Sequence, residues 1–128
     1  MSDLNPHQHS ILVLDDELRM REALSDFLSD MDYRPTAVGT AQQALDALRS
    51  QHFTIAIVAV RLPDMDGITF MTQARAIQPR LRCIIHTGSL DLLSGCDLSE
   101  NGVEAVLIKP VTDMNRFLDV INGLPGTP

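Results

Sequence analysis

Ile55-Ala56-Ile57-Val58-Ala59-Val60 is the most hydrophobic run in the chain, and Arg61-Leu62-Pro63-Asp64-Met65-Asp66-Gly67 follows it at once. Six apolar residues with no polar alternation describe a strand buried on both faces, as at the centre of a parallel sheet. The segment after it has turn chemistry, and Asp66 is placed to cap a helix carrying Ile68, Met71, Ala74 and Ile77.

The same alternation of short apolar run and helix-period segment extends in both directions. Residues 11–14 (Ile-Leu-Val-Leu) read as a strand that stops at Asp15-Asp16. Behind it, Met20, Ala23, Leu24, Phe27, Leu28 and Met31 recur at the spacing of an amphipathic helix. Residues 35–38 form a weaker strand. Thr40-Ala-Gln-Gln43 then fits a capping box, with Ala41, Ala44, Leu45 and Leu48 facing inward. Residues 81–86 supply a fourth strand and residues 105–108 a fifth. Thr112 caps a last helix with Met114, Phe117, Leu118 and Ile121 inward. Between the last two strands the pattern weakens: residues 89–101 hold Leu90, Leu92, Leu93 and Leu98 but also Ser94-Gly95, which suits a short or frayed helix. Strands alternating with helices specify a parallel sheet covered on both faces, because right-handed crossovers place helices there.

Composition bounds the function. The chain has 128 residues, enough for one domain with its own core. With 4% aromatic residues and no Trp, that core is aliphatic. A formal charge of −7 argues against a nucleic-acid footprint and against an anionic membrane surface. Residues 1–9 are a polar segment without the apolar stretch of a signal peptide. No run is long enough to cross a membrane, so a cytoplasmic location is expected. Cys83 and Cys96 lack metal or redox spacing, and Cys83 reads as a small core residue. Residues 124–128 look like the start of a linker or tail.

In an open parallel sheet, ligands bind beyond the carboxyl ends of the strands. Those ends carry Asp15 and Asp16, then Ala59, then His86 and Thr87, then Lys109-Pro110. Two carboxylates, a hydroxyl and an ammonium therefore converge on one edge.

Asp15-Asp16-Glu17, Arg61-Leu-Pro-Asp-Met-Asp-Gly67, Thr87-Gly88 and Ile108-Lys-Pro110, in that order and on those elements, resemble a bacterial two-component response-regulator receiver domain. The resemblance covers about residues 10–123. It implies a flavodoxin-like (βα)5 doubly wound α/β fold with five parallel strands in the order 2-1-3-4-5. It also implies a phosphorelay role: Asp15, Asp16 and the backbone carbonyl of Arg61 would hold Mg2+, while Thr87 and Lys109 would bind phosphoryl oxygens. Expected partners are a sensor histidine kinase or phosphotransfer protein, and an effector domain or second receiver. The effector would be met through the face of the fourth helix, fifth strand and fifth helix, where the four leucines of residues 89–101 lie.

The sequence departs from the family pattern at its centre. The nucleophilic aspartate is expected two residues before Arg61-Leu-Pro, and Ala59 stands there. A methyl group has no lone pair to attack phosphorus or ligate a metal, so no phosphorylation is expected and Mg2+ should bind weakly or not at all. Asp66 reads as a helix cap and Asp64 as a solvent-facing turn residue, so neither replaces it. Val106 stands where the family often carries Tyr or Phe, and is read as harmless variation. His86 is read as a partly buried strand-end residue rather than a proton shuttle. Retention of the other site residues favours an engineered inactive form; the alternative is a natural pseudo-receiver that acts by protein contact alone. An enzyme, such as an aspartyl phosphatase using Asp15, is disfavoured because no GxGxxG or GxxxxGK[ST] motif is present and the chain is too short for a cap.

Overall fold

The computed structural model describes residues 10–88, 103–108 and 118–121. In chain order the elements are β1 (Ser10–Leu14), α1 (Leu18–Asp30), β2 (Arg34–Val38), α2 (Ala41–Ser50), β3 (Ile55–Val58), α3 (Gly67–Ile77), β4 (Arg82–Thr87) and β5 (Val103–Ile108), and residues 118–121 are helical. The five strands form one sheet in the order β2-β1-β3-β4-β5, parallel at every pairing. The parallel sheet is what the alternation of runs specifies, and the strand order is the one the receiver resemblance implies.

β3 is the central strand, fully buried along its length, with Ile11↔Ile55 and Ile55↔Arg82 fixing its register on either side. Alternate side chains separate the core into two layers. Leu12, Leu14, Ala56, Val58, Cys83 and Ile85 pack against α2 and α3 through Leu45, Leu48, Phe70 and Met71. Ile11, Val13, Ile55, Ile57 and Ile84 pack against α1 and Ile121. Burial raises the Cys83 thiol to about 11, the behaviour of an inert core group.

The first helix differs from its expected face. Leu24 and Leu28 are buried and Met20 and Phe27 half-buried, whereas Ala23 and Met31 are exposed. The sheet accepts only a narrow stripe of α1, and Met31 already lies past its end. There Asp32 adopts a left-handed backbone with φ 68°, while its N–H donates to the Ser29 carbonyl and that of Tyr33 to the Leu28 carbonyl. These are the two bonds of a Schellman stop, with Asp in the place usually taken by Gly. The capping box of α2 is nearly reciprocal. Thr40 Oγ1 accepts from Gln43 N at 3.2 Å, but the Gln43 side chain accepts from Gly39 rather than from Thr40 itself.

β3 ends at Val58 instead of running to residue 60, and β5 starts two residues earlier than expected. The four leucines of residues 89–101, Lys109, and the Thr112 cap lie outside the described residues.

Candidate functional site at the carboxyl edge of the sheet

Asp15, Ala59 and His86 stand one step beyond the paired residues Leu14, Val58 and Ile85 of the three central strands. The Ala59 N–H donates to the Leu14 carbonyl at 2.9 Å, which carries the β1–β3 pairing to that step. By strand alternation the three side chains share the face of Val13, Ile57 and Ile84, the layer covered by α1. All three are buried, at 1%, 4% and 1% exposure.

Asp15 is held from several directions. Its Oδ1 accepts from the Glu17 N–H at 2.9 Å, and its carbonyl accepts from the Arg21 guanidinium at 2.9 Å. Its Oδ2 lies 3.9 Å from His86 Nδ1. His86 is thus more deeply enclosed than the partly buried strand-end residue expected, and it faces a carboxylate. Asp16 is exposed at the start of the β1–α1 turn. Thr87 is buried at the end of β4. Val106 packs into the layer covered by α2 and α3.

The loop after β3 is folded back on itself. Arg61 pairs with Asp66 in an isolated antiparallel bridge, and the Gly67 N–H donates to the Val60 carbonyl at 2.6 Å. Asp66 caps α3 as expected: its Oδ1 accepts from Ile68 N at 2.9 Å and Thr69 N at 3.2 Å, and the Thr69 hydroxyl donates to its Oδ2 at 2.6 Å. The Thr69 hydroxyl, followed by the backbone donors, holds the Asp66 carboxyl below its ordinary range.

Asp64 is exposed in the loop, as expected, and carries a further role. Its carboxylate is solvent-exposed, yet it accepts from Ala41 N at 2.9 Å and Gln42 N at 3.0 Å, capping the start of α2 from a different segment. Those two donors lower its pKa. Both acidic residues of the loop are therefore committed to helix N-termini.

Family comparison matches residues 11–122 to the response regulator receiver domain. The chain belongs to the response-regulator receiver family. It is 32% identical over 103 residues to the transcriptional regulatory protein FixJ of Bradyrhizobium diazoefficiens, covering 80% of this chain and 50% of that protein. It is 26% identical to sporulation initiation phosphotransferase F of Bacillus subtilis, covering 87% of this chain and 89% of that one. Among solved structures, the signal receiver domain of an HD domain-containing protein from Pseudomonas fluorescens Pf-5 superposes with a TM-score of 0.80 at 28% identity, over 92% of this chain and 88% of that one. The chain spans 23% to 50% of the length of the first transcriptional regulators it matches. A receiver domain of this family is a phosphorelay signalling module, and the family binds Mg2+. Among the described residues, no helix is long and apolar enough to cross a membrane.

Proposed function

We propose that this chain is a receiver that does not accept a phosphoryl group and signals by protein contact. The observation that carries the reading is Ala59, buried at the end of the central strand beside Asp15, where the family's chemistry needs a carboxylate. Asp64 and Asp66 do not substitute, because each spends its oxygens on a helix N-terminus.

The same residues fit Mg2+ poorly. This hard cation wants several oxygen donors at close range. Ala59 offers none, Asp15 is engaged by Glu17 N–H and approached by His86, and Asp16 stands apart in solvent. Among the described residues, no three His, Cys, Asp or Glu side chains converge as a metal site. In this reading Thr87 and Lys109 are retained members of a silent site, and the Arg61 carbonyl has lost its fellow ligands.

Silence follows from either origin of Ala59. An engineered substitution accounts for the survival of Asp15, Asp16, Thr87 and Lys109. A natural pseudo-receiver acting by contact alone is the alternative, in which the buried His86 side chain 3.9 Å from Asp15 belongs to the native site. A sensor kinase or phosphotransfer protein would dock without transfer. An effector domain or second receiver would be met by the face that includes β5, where Ile108 is 45% exposed. The domain itself acts on neither nucleic acid nor membrane, and works in the cytoplasm.

The test is exposure to acetyl phosphate with Mg2+, followed by intact-mass spectrometry. The expected result is no added phosphoryl group. A phosphoryl group mapped to Asp64 or Asp66 would end this reading.

A further inference from the structure

β1 and β4 both pair with β3 and not with each other. Their backbones are therefore two strand spacings apart, roughly 10 Å. Asp15 Oδ2 and His86 Nδ1 nevertheless approach to 3.9 Å. The two side chains can meet only by reaching toward each other over residue 59, the member of the row between them. A methyl group there leaves that path open. A carboxylate would stand in it.

We infer that His86 is a second lock on the acceptor site, independent of the missing nucleophile. This rests on the reading of Ala59 as the acceptor position. Both oxygens of Asp15 face the protein's own groups, Oδ1 the Glu17 N–H and Oδ2 the His86 imidazole. The Oδ1 contact is a hydrogen bond, while the imidazole, 3.9 Å from Oδ2, occupies the space that a cation bridging Asp15 and position 59 would need. An aspartate restored at position 59 would also lie beside the imidazole, which would compete with the cation for its oxygens. His86 is thus a positioning residue: it touches no phosphoryl group, and it decides where the Asp15 carboxylate points. Restoring the nucleophile alone does not reopen the site, whereas removing the imidazole as well does. In the reopened site an oxygen of the restored carboxylate attacks the phosphorus of acetyl phosphate, the bond to the acetate oxygen breaks, and acetate leaves.

The experiment compares the original chain, Ala59→Asp, and Ala59→Asp with His86→Val. Each is titrated calorimetrically with magnesium chloride and then treated with acetyl phosphate and weighed. The expected result is that Ala59→Asp stays close to the original chain in both readouts. The double variant should bind Mg2+ about tenfold more tightly, the scale on which neighbours of a ligand act, and should gain one phosphoryl group. If Ala59→Asp alone binds and is phosphorylated as well as the double variant, His86 is no lock. If the folded double variant gains nothing, the inference also fails, because freeing Asp15 had no effect. Should His86→Val not fold, as circular dichroism would reveal, His86→Leu, larger and equally without a donor, carries the same comparison. Phosphorylation of the original chain is a separate outcome: it overturns the acceptor-position reading itself.

Discussion

Gly67 lies against the backbone of Ala59: a Cβ built on the glycine would meet the Ala59 carbonyl oxygen at 2.2 Å. The next nearest atom would be Val58 Cγ1 at 3.1 Å. The first residue of α3 is thereby seated on the end of β3, and its N–H closes the loop onto the Val60 carbonyl. The glycine is required by space, since the obstructing atom belongs to backbone that has no other rotamer to adopt.

Gly67→Ala should therefore destabilise the domain although alanine is the better helix former. Overpacking a tight site costs about 1–3 kcal/mol, which exceeds the roughly 1 kcal/mol that alanine gains over glycine within a helix. Urea unfolding of the two proteins measures the balance. An unchanged midpoint would mean that α3 can lift off β3 at no cost.

The acidic caps predict a pH dependence of definite sign. The carboxyl groups of Asp64 and Asp66 lie below their ordinary value of 3.8, through the Ala41 and Gln42 N–H groups and the Thr69 hydroxyl respectively. A depressed folded-state pKa contributes stability that is complete above the unfolded value and fades as pH falls through the folded one. Stability should thus hold at pH 6 and decline below about pH 4, the ordinary carboxylate range. Asp66→Ala should cost about 1 kcal/mol at neutral pH, the usual loss for a helix cap, and should flatten the acid decline. Asp64→Asn should loosen the first turn of α2, read as faster amide exchange at Ala41 and Gln42. Equal acid sensitivity in the original chain and both variants would place its origin elsewhere.

These caps also mark where sequence reasoning stopped. Asp66 was legible because its partners are two and three residues away, within the reach of a local rule. Asp64 was not, because its partners lie 23 and 22 residues earlier and meet it only once the sheet is assembled. The central strands β1, β3 and β4 were legible because residues buried on both faces leave unbroken apolar runs. The inner face of α1 was read too wide, since periodicity gives the angle of a stripe and not how much of it the sheet covers. His86 was seen as a strand-end residue, and nothing in residues 84–88 indicates that a carboxylate from β1 reaches it across β3.

Arg82 joins three segments at the opposite end of β4. Its Nε donates to Glu104 on β5, at 2.8 Å and 3.0 Å to the two oxygens, and Nη2 adds a further contact to that carboxylate. Nη1 donates to the Ile121 carbonyl at 2.8 Å and Nη2 to the Val120 carbonyl at 2.6 Å. The ion pair is partly exposed and by itself contributes little, about 0–1 kcal/mol. The carbonyl bonds give the residue its weight. Arg82→Met should cost about 1–3 kcal/mol, and Arg82→Lys should recover only part, because an ammonium cannot present the planar fork. Glu104→Gln should cost much less than either. If Glu104→Gln matches Arg82→Met in a denaturation series, the ion pair, and not the tie to residues 120 and 121, carries the stability.

The row at the carboxyl edge makes a last prediction that needs no metal. Ala59 is enclosed between Asp15 and His86, each 1% exposed. Ala59→Asp would bring a second carboxylate into this row. Burial and repulsion from Asp15 oppose it, while a hydrogen bond from the imidazole would favour it. The imidazole already faces Asp15 at 3.9 Å and would have to be shared between the two, so the opposing effects should win. The expected loss is about 1–3 kcal/mol without Mg2+, the scale for a poorly compensated buried charge. Ala59→Asn separates charge from size, since it has nearly the same shape and no charge. If charge is the cause, the asparagine variant unfolds at a urea concentration between those of the original chain and Ala59→Asp. If the two variants unfold together, the cost is steric, and the cleft over Ala59 is simply too full to admit a side chain of that length.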